Sequence, residues 1–200
     1  MIVILEYGMG NVGSIQNMLE YIGVNSIISS DHSDIEMATK IIMPGVGAFN
    51  KAMENLEKRD LIPVLNKRVI EDRIPILGIC LGMQLLTKMS EEGQTLGLGW
   101  LDAQTVRFKF DDPNLKIPHM GWNFVTYKND FSKETNRKYY FVHSYQVVCN
   151  NENDIWATCQ YGGDVVAAVR KGNIWGVQFH PEKSHKFGIE FFRRFVNGDS

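Results

Sequence analysis

The stretch Gly78-Ile79-Cys80-Leu81-Gly82, placed directly after the apolar run Pro75-Ile76-Leu77, constrains this chain more than any other segment. Glycine loses more backbone freedom on folding than any other residue, so a pair around one cysteine is expected only where the chain bends sharply or passes close to another strand. A buried strand that ends on a cysteine and turns at once into a helix has the form of a nucleophile elbow, which lifts the side chain clear of the sheet. The helix expected to follow, Leu81 to Met89, aims its N-terminus at the sulfur. Its free N–H groups and partial positive charge favour thiolate over thiol. A lone cysteine in an apolar stretch is ordinarily core filler; the flanking glycines argue for a reactive thiol.

A second apolar run, Asn173 to Phe179, ends on His180-Pro181-Glu182. In extended backbone, residues two apart point to the same face, so Glu182 can hold one imidazole nitrogen of His180 while the other faces the sulfur. Pro181 keeps that backbone extended. The expected task of His180 is to draw the thiol proton and then protonate a leaving group; that of Glu182 is to fix the tautomer.

With 200 residues, a formal charge of −2 and 44% hydrophobic residues, the chain can bury a full core as one domain over residues 1–200, or as two subdomains sharing that core, and has no charge excess that requires nucleic acid. Met1 to Leu5 is too short for a signal sequence and meets Glu6 at once, so it reads as the first strand. No run approaches the roughly 18 apolar residues of a membrane span. The cysteines Cys80, Cys149 and Cys159 are odd in number and lack C-x-x-C spacing. They point to the reducing cytoplasm and to no structural metal. No cofactor is expected.

The first half alternates strand and helix. Strands are expected at Ile2–Glu6, Asn25–Ser29, Lys40–Met43 and Ile74–Ile79. Helices are expected from Gly10-Asn11 to Ile22, from Ala48 to Lys58 and from Leu61 to Glu71. That is the rhythm of a parallel sheet flanked by helices. From about Trp100 the period changes to β: Ala103–Phe110, Asn123–Tyr127, Tyr139–Cys149, Ile155–Gln160, Val165–Arg170 and Ile174–Phe179, closed by a helix over Phe187–Val196. The fold class expected is α/β, a central mostly parallel sheet with additional antiparallel strands in the C-terminal half.

These residues carry a resemblance over the whole chain. Gly-Ile-Cys-Leu-Gly-Met-Gln from Gly78, His180-Pro181-Glu182-Lys183-Ser184 and the loop Pro44-Gly45-Val46-Gly47-Ala48-Phe49 resemble the class I, or triad, glutamine amidotransferases. Tyr7-Gly8-Met9-Gly10-Asn11, Pro118-His119-Met120-Gly121-Trp122-Asn123 and Tyr140-Phe141-Val142-His143-Ser144-Tyr145 are similar to the HisH branch of that family, the glutaminase subunits of imidazole glycerol phosphate synthase.

The resemblance implies a class I amidotransferase fold and a thioester mechanism that hydrolyses glutamine, with Cys80, His180 and Glu182 as the triad. It implies oxyanion donors at Leu81 and at the Gly45–Val46 peptide, in a loop that rests mispositioned until a partner binds its ligand. It places Gly47, Gln84, His143, Ser144 and Tyr145 around the substrate, and Asn11, His119, Trp122 and Tyr140 near a partner. That partner is a HisF-type (β/α)₈ cyclase in a heterodimer, which receives the ammonia for histidine biosynthesis. The chain offers no Walker loop or G-x-G-x-x-G cradle of its own for an acceptor substrate.

Other readings remain at this stage. Gly99-Trp100-Leu101-Asp102-Ala103 and Ser184-His185-Lys186-Phe187-Gly188 are similar to HisH paralogues that feed a HisF-like partner in acetamidino surface-sugar biosynthesis. A cysteine peptidase-like or thiol stress protein shares the elbow, but would not need Gln84 and an oxyanion loop tuned to a free amino acid. A silent regulatory subunit would not need all three triad members.

Overall fold

The computed structural model describes residues 1–128 and 137–198. The chain runs β1 (Ile2–Leu5), α1 (Val12–Tyr21), β2 (Ser26–Ser29), α2 (His32–Met37), β3 (Lys40–Gly45), α3 (Phe49–Lys58), α4 (Leu61–Asn66), β4 (Ile76–Cys80) and α5 (Leu81–Leu85). It continues with β5 (Met89–Ser90), β6 (Thr95–Leu96), β7 (Ala103–Arg107), β8 (His119–Tyr127), β9 (Arg137–His143), β10 (Tyr145–Cys149), β11 (Ile155–Gln160), β12 (Asp164–Lys171), β13 (Ile174–Val177) and α6 (His185–Asn197).

Nine strands form one sheet in the order β2-β1-β3-β4-β13-β12-β11-β8-β9, and β10-β7-β5-β6 form a second. The block from β2 to β13 is parallel, and β12, β11, β8 and β9 extend it antiparallel. The central parallel strands are covered on both faces, which is why β1 and β4 read as unbroken apolar runs. Alternate residues of β1 enter different cores: Val3 and Leu5 pack with α3 and α4, Ile2 and Ile4 with Ile15, Leu19, Phe191 and Phe195 of α1 and α6.

The helices follow from their sequences. Asn11 caps α1 by accepting the Ser14 N–H. Phe49, Ala52, Met53 and Leu56 bury one stripe of α3. Four expectations need correction. The polar α2 buries only Ile35, so it carries no apolar period to read. The elbow helix stops at Leu85, not Met89: Thr87 Oγ1 donates to Gln84 O, and Leu98 N–H and Gly99 N–H take the carbonyls of Leu85 and Thr87. β8 begins at His119 rather than Asn123, since its first residues pair with the end of β9. Tyr139–Cys149 is two strands in different sheets, parted at Ser144, whose carbonyl accepts the Phe108 N–H.

Topology positions the site. β13, late in the chain, inserts parallel beside β4 in the register Val177↔Ile79, and β3 flanks β4 on the other side in the register Gly45↔Cys80. The segments after β3, β4 and β13 therefore leave the sheet together at its carboxyl edge, where open α/β sheets place their ligands. No helix among the described residues is long and apolar enough to cross a membrane.

Candidate active site

Cys80 ends β4 with φ 55° and ψ −109°, a conformation that non-glycine residues rarely adopt. The surrounding glycines make the bend possible. A Cβ on Gly78 would lie 2.6 Å from Gly82 O, and one on Gly82 would lie 1.9 Å from Met43 O. Strand, elbow and neighbouring strand thus close to contact distances that any side chain would break. The sulfur sits 3.6 Å from Gln178 Nε2, a donor, and 3.9 Å from the Val142 carbonyl.

His180 follows β13 and is tied down on several sides. Its N–H donates to Tyr140 O at 2.8 Å. Its carbonyl accepts from Ser184 Oγ at 2.6 Å, and that hydroxyl oxygen in turn accepts the Tyr140 N–H. The ring's Nδ1 lies 2.7 Å from Glu182 Oε1. Its Nε2 is buried with no hydrogen-bond partner of normal geometry. Burial pulls the imidazole pKa down, but Cys80 and Glu182 outweigh it and raise it to about 10. Chemically, the arrangement can serve as a strained nucleophile, a base and a carboxylate that orients the base.

A cavity of about 330 Å³ opens over Cys80 and brings Val46, Gly47, Leu81, Gln84, His143, Ser144 and Tyr145 together at its walls. Gly45 lies beneath, fully buried and too close to Leu81 and Gly82 for a side chain. Gln84 is not the solvated helix residue its position would otherwise imply: its Nε2 donates to Tyr145 O at 3.2 Å and Gln178 Oε1 at 3.0 Å. Ser144 reaches the cavity because the chain changes sheets there.

Glu92 also lines the cavity, and sequence reasoning missed it. One of its oxygens accepts the Phe49 N–H at 2.8 Å, fastening it to the start of α3. Glu91-Glu92-Gly93 reads as a solvated acidic turn; only the packing of that turn on α3 carries Glu92 to the site.

The expected partner residues separate into two groups. Trp122 is 45% exposed and stacks on the His185 ring at 5.3 Å. Asn11 is exposed and Tyr140 half-buried beside Trp122. His119 is different: at 3% exposure it has no surface of its own to offer, because β8 turns alternate side chains inward. It bonds to His143 instead.

The sequence profile of the class-I glutamine amidotransferases matches residues 3–197. Over 98% of its length the chain is 52% identical to imidazole glycerol phosphate synthase subunit HisH 2 of Methanococcus maripaludis, 98% of which is covered. It is 46% identical to the subunit of the same name from Pseudomonas aeruginosa, with 98% of each covered. A crystal structure of a glutamine amidotransferase superposes with a TM-score of 0.78 at 18% identity, covering 98% of each chain. The glutaminase domain of Trypanosoma brucei CTPS superposes with a TM-score of 0.65 at 17% identity, covering 100% of this chain and 94% of that one. Elbow, histidine segment, sheet order and these likenesses agree, and the chain belongs to the class I glutamine amidotransferase family, in its HisH branch.

Proposed function

We propose that this chain, as one domain in the cytoplasm, hydrolyses glutamine to glutamate and ammonia and delivers the ammonia to a HisF-type (β/α)₈ cyclase for imidazole glycerol phosphate synthesis. The observation that carries this reading is the strained elbow at Cys80 combined with the buried His180–Glu182 pair at one sheet edge. The relatives' name, a synthase subunit, supports a partner that holds the acceptor.

Cys80 attacks the side-chain carbonyl carbon of glutamine as thiolate; a C–S bond forms and the C=O pair moves onto oxygen. The Leu81 N–H and the Gly45–Val46 peptide are the donors assigned to that oxyanion. On collapse the C–N bond breaks and His180 gives its proton to the nitrogen, releasing ammonia. His180 then takes a proton from water, the hydroxyl attacks the thioester, and the C–S bond breaks to give glutamate and the thiolate. Glu182 holds the ring throughout. Gly47, Gln84, His143, Ser144 and Tyr145 surround the substrate, and Glu92 is the acidic group placed for its α-ammonium.

The test is glutamate release from glutamine by the chain alone and with a HisF-type barrel and its phosphoribosyl formimino ligand. A low basal rate that rises strongly with both supports the reading. Labelling of Cys80 by a glutamine-analogue electrophile without that activation moves the acceptor to another pathway. Neither turnover nor labelling overturns the glutaminase.

A further inference from the structure

We propose that His119 is a positioning residue for glutamine turnover: through a one-way hydrogen-bond chain it fixes the His143 ring and, with it, the Tyr145 carbonyl in the cavity wall. The inference rests on the glutaminase reading above.

The chain can be assigned proton by proton. His143 Nδ1 lies 2.7 Å from Tyr145 O, and a carbonyl only accepts, so Nδ1 carries the hydrogen. A neutral ring then has a lone pair at Nε2, and His119 Nδ1, 3.0 Å away, is the donor to it. His119 Nε2 is left as an acceptor facing Asn123 Nδ2 at 3.3 Å. The Asn123 amide cannot be turned over, since its Oδ1 accepts the Phe124 N–H at 2.8 Å and its Nδ2 also donates to Gln160 O at 2.9 Å. Every bond in the series has one allowed direction, and both rings are held in the Nδ1–H tautomer.

The surroundings enforce neutrality. Burial holds His119 down to about 4. Burial likewise holds His143 down to about 3, assisted by the charges of His119 and His180 and opposed by its bond to Tyr145. The His119 ring is stacked between Phe141 and Tyr161, with centroids at 4.7 and 4.0 Å, and Phe108 packs on His143 at 5.2 Å. A bond lost here leaves a buried polar atom unpaired.

The far end reaches the nucleophile. Tyr145 O also accepts from Gln84 Nε2, whose second acceptor is Gln178 Oε1, and Gln178 Nε2 points at Cys80 Sγ from 3.6 Å. One carbonyl therefore sets two amide rotamers and the donor on the sulfur. The chain also isolates the base. His143 is near enough to feel the charge of His180, and with its Nε2 lone pair held by His119 it does not compete for the thiol proton.

The test compares wild type, H119F and H119N as full chains in complex with the partner subunit, by steady-state glutaminase kinetics and by ¹⁵N NMR of the labelled histidines. Phenylalanine keeps the stacked ring and loses the donor; asparagine can place an N–H where Nδ1 stood. H119F should raise KM for glutamine about tenfold while kcat changes less than about threefold, as expected for loss of a single buried hydrogen bond. H119N should recover most of that loss. Wild-type His143 should show a protonated Nδ1 and a bare Nε2, unchanged between about pH 8 and 5. An unchanged KM in H119F, equal losses in H119N, or a His143 protonated at Nε2 would overturn the proposal. The NMR readout needs no turnover, so failure of the relay and failure of the glutaminase reading are told apart.

Discussion

His180 and Glu182 face each other at 2.7 Å with side chains only 1% and 4% exposed. Burial of this kind opposes a charged imidazole, yet the neighbouring Cys80 and Glu182 raise its pKa to about 10. The unfolded chain holds that proton only below about pH 6.5. Between the two values the folded state binds more protons, so stability falls as pH rises. The contribution of His180 should be fully present below about pH 6.5 and lost as pH climbs through about 10. Denaturant midpoints of wild type and H180Q across that window should converge on the alkaline side; parallel curves would show that His180 is not held in its charged form.

The same pair ranks two variants. Cys80→Ala removes the proposed nucleophile while leaving the Cβ the elbow already accommodates, so turnover should fall by about 10⁴-fold or more with the fold intact. Glu182→Gln keeps a group beside Nδ1 but loses the charge, and should cost about 10³-fold in kcat. Single-turnover glutamate formation measures both, and circular dichroism checks the fold. A Cys80→Ala enzyme that still releases glutamate at a tenth of the normal rate would remove Cys80 from the mechanism.

Much of this site was legible because its geometry is written in small residues and fixed spacings. Gly78 and Gly82 mark the elbow in the sequence, and the 2.6 and 1.9 Å at which a Cβ on either would meet backbone oxygen explain why they must be glycine. His180 and Glu182 meet as their spacing suggests, but the expected extended backbone is wrong: Pro181–Lys183 form a 3-10 turn, closed by the Lys183 N–H on His180 O, and that turn brings the carboxylate to the ring. What was not legible depends on tertiary packing. The sheet change at Ser144 lies inside an uninterrupted β-type pattern, so Tyr139–Cys149 reads as one strand. The inward face of His119 is hidden because the apolar residues that alternate along β8, Met120, Trp122 and Phe124, face outward, so the pattern by itself points His119 to solvent. Glu92 is brought in by a turn whose sequence is that of a solvated loop.

Glu92 gives the next prediction. Its carboxylate lines the cavity and accepts the Phe49 N–H. Glutamine at position 92 keeps a carbonyl oxygen for that N–H and loses only the charge, so the α3 cap survives. Glu92→Gln should therefore raise KM for glutamine by about tenfold or more, the scale of one charge-assisted hydrogen bond, with a smaller change in kcat. Titration calorimetry with glutamine on a Cys80→Ala background separates binding from chemistry. Unaltered affinity would place the α-ammonium elsewhere.

Gly82 tests the fold rather than the chemistry. Alanine there would put its Cβ 1.9 Å from Met43 O, a backbone atom of β3 that can move only by opening the β3–β4 contact. Overpacking against backbone of this kind should destabilise the chain by about 3 kcal/mol. Urea unfolding of Gly82→Ala against wild type measures it. A loss under about 1 kcal/mol would mean that the elbow tolerates a wider bend than these distances allow.

Trp122 addresses the partner. Met120, Trp122 and Phe124 alternate along β8 and all point outward, at 61%, 45% and 48% exposure, with Lys138 over the Phe124 ring at 4.4 Å. Single exposed apolar side chains are ordinary, but three in a row on one strand face form a patch. Trp122 is held by stacking on His185 at 5.3 Å, so it is presented in one orientation and loses little freedom when covered. A preorganised aromatic at the centre of an apolar patch is the usual form of a binding hot spot. Trp122→Ala should weaken association with the proposed HisF-type subunit by about 30-fold, against almost no effect from Tyr21→Ala. Tyr21 is 72% exposed at the far end of α1 and controls for general loss of aromatic surface. Surface plasmon resonance with the barrel immobilised gives both affinities. Equal binding by wild type and Trp122→Ala would move the interface off this face of β8.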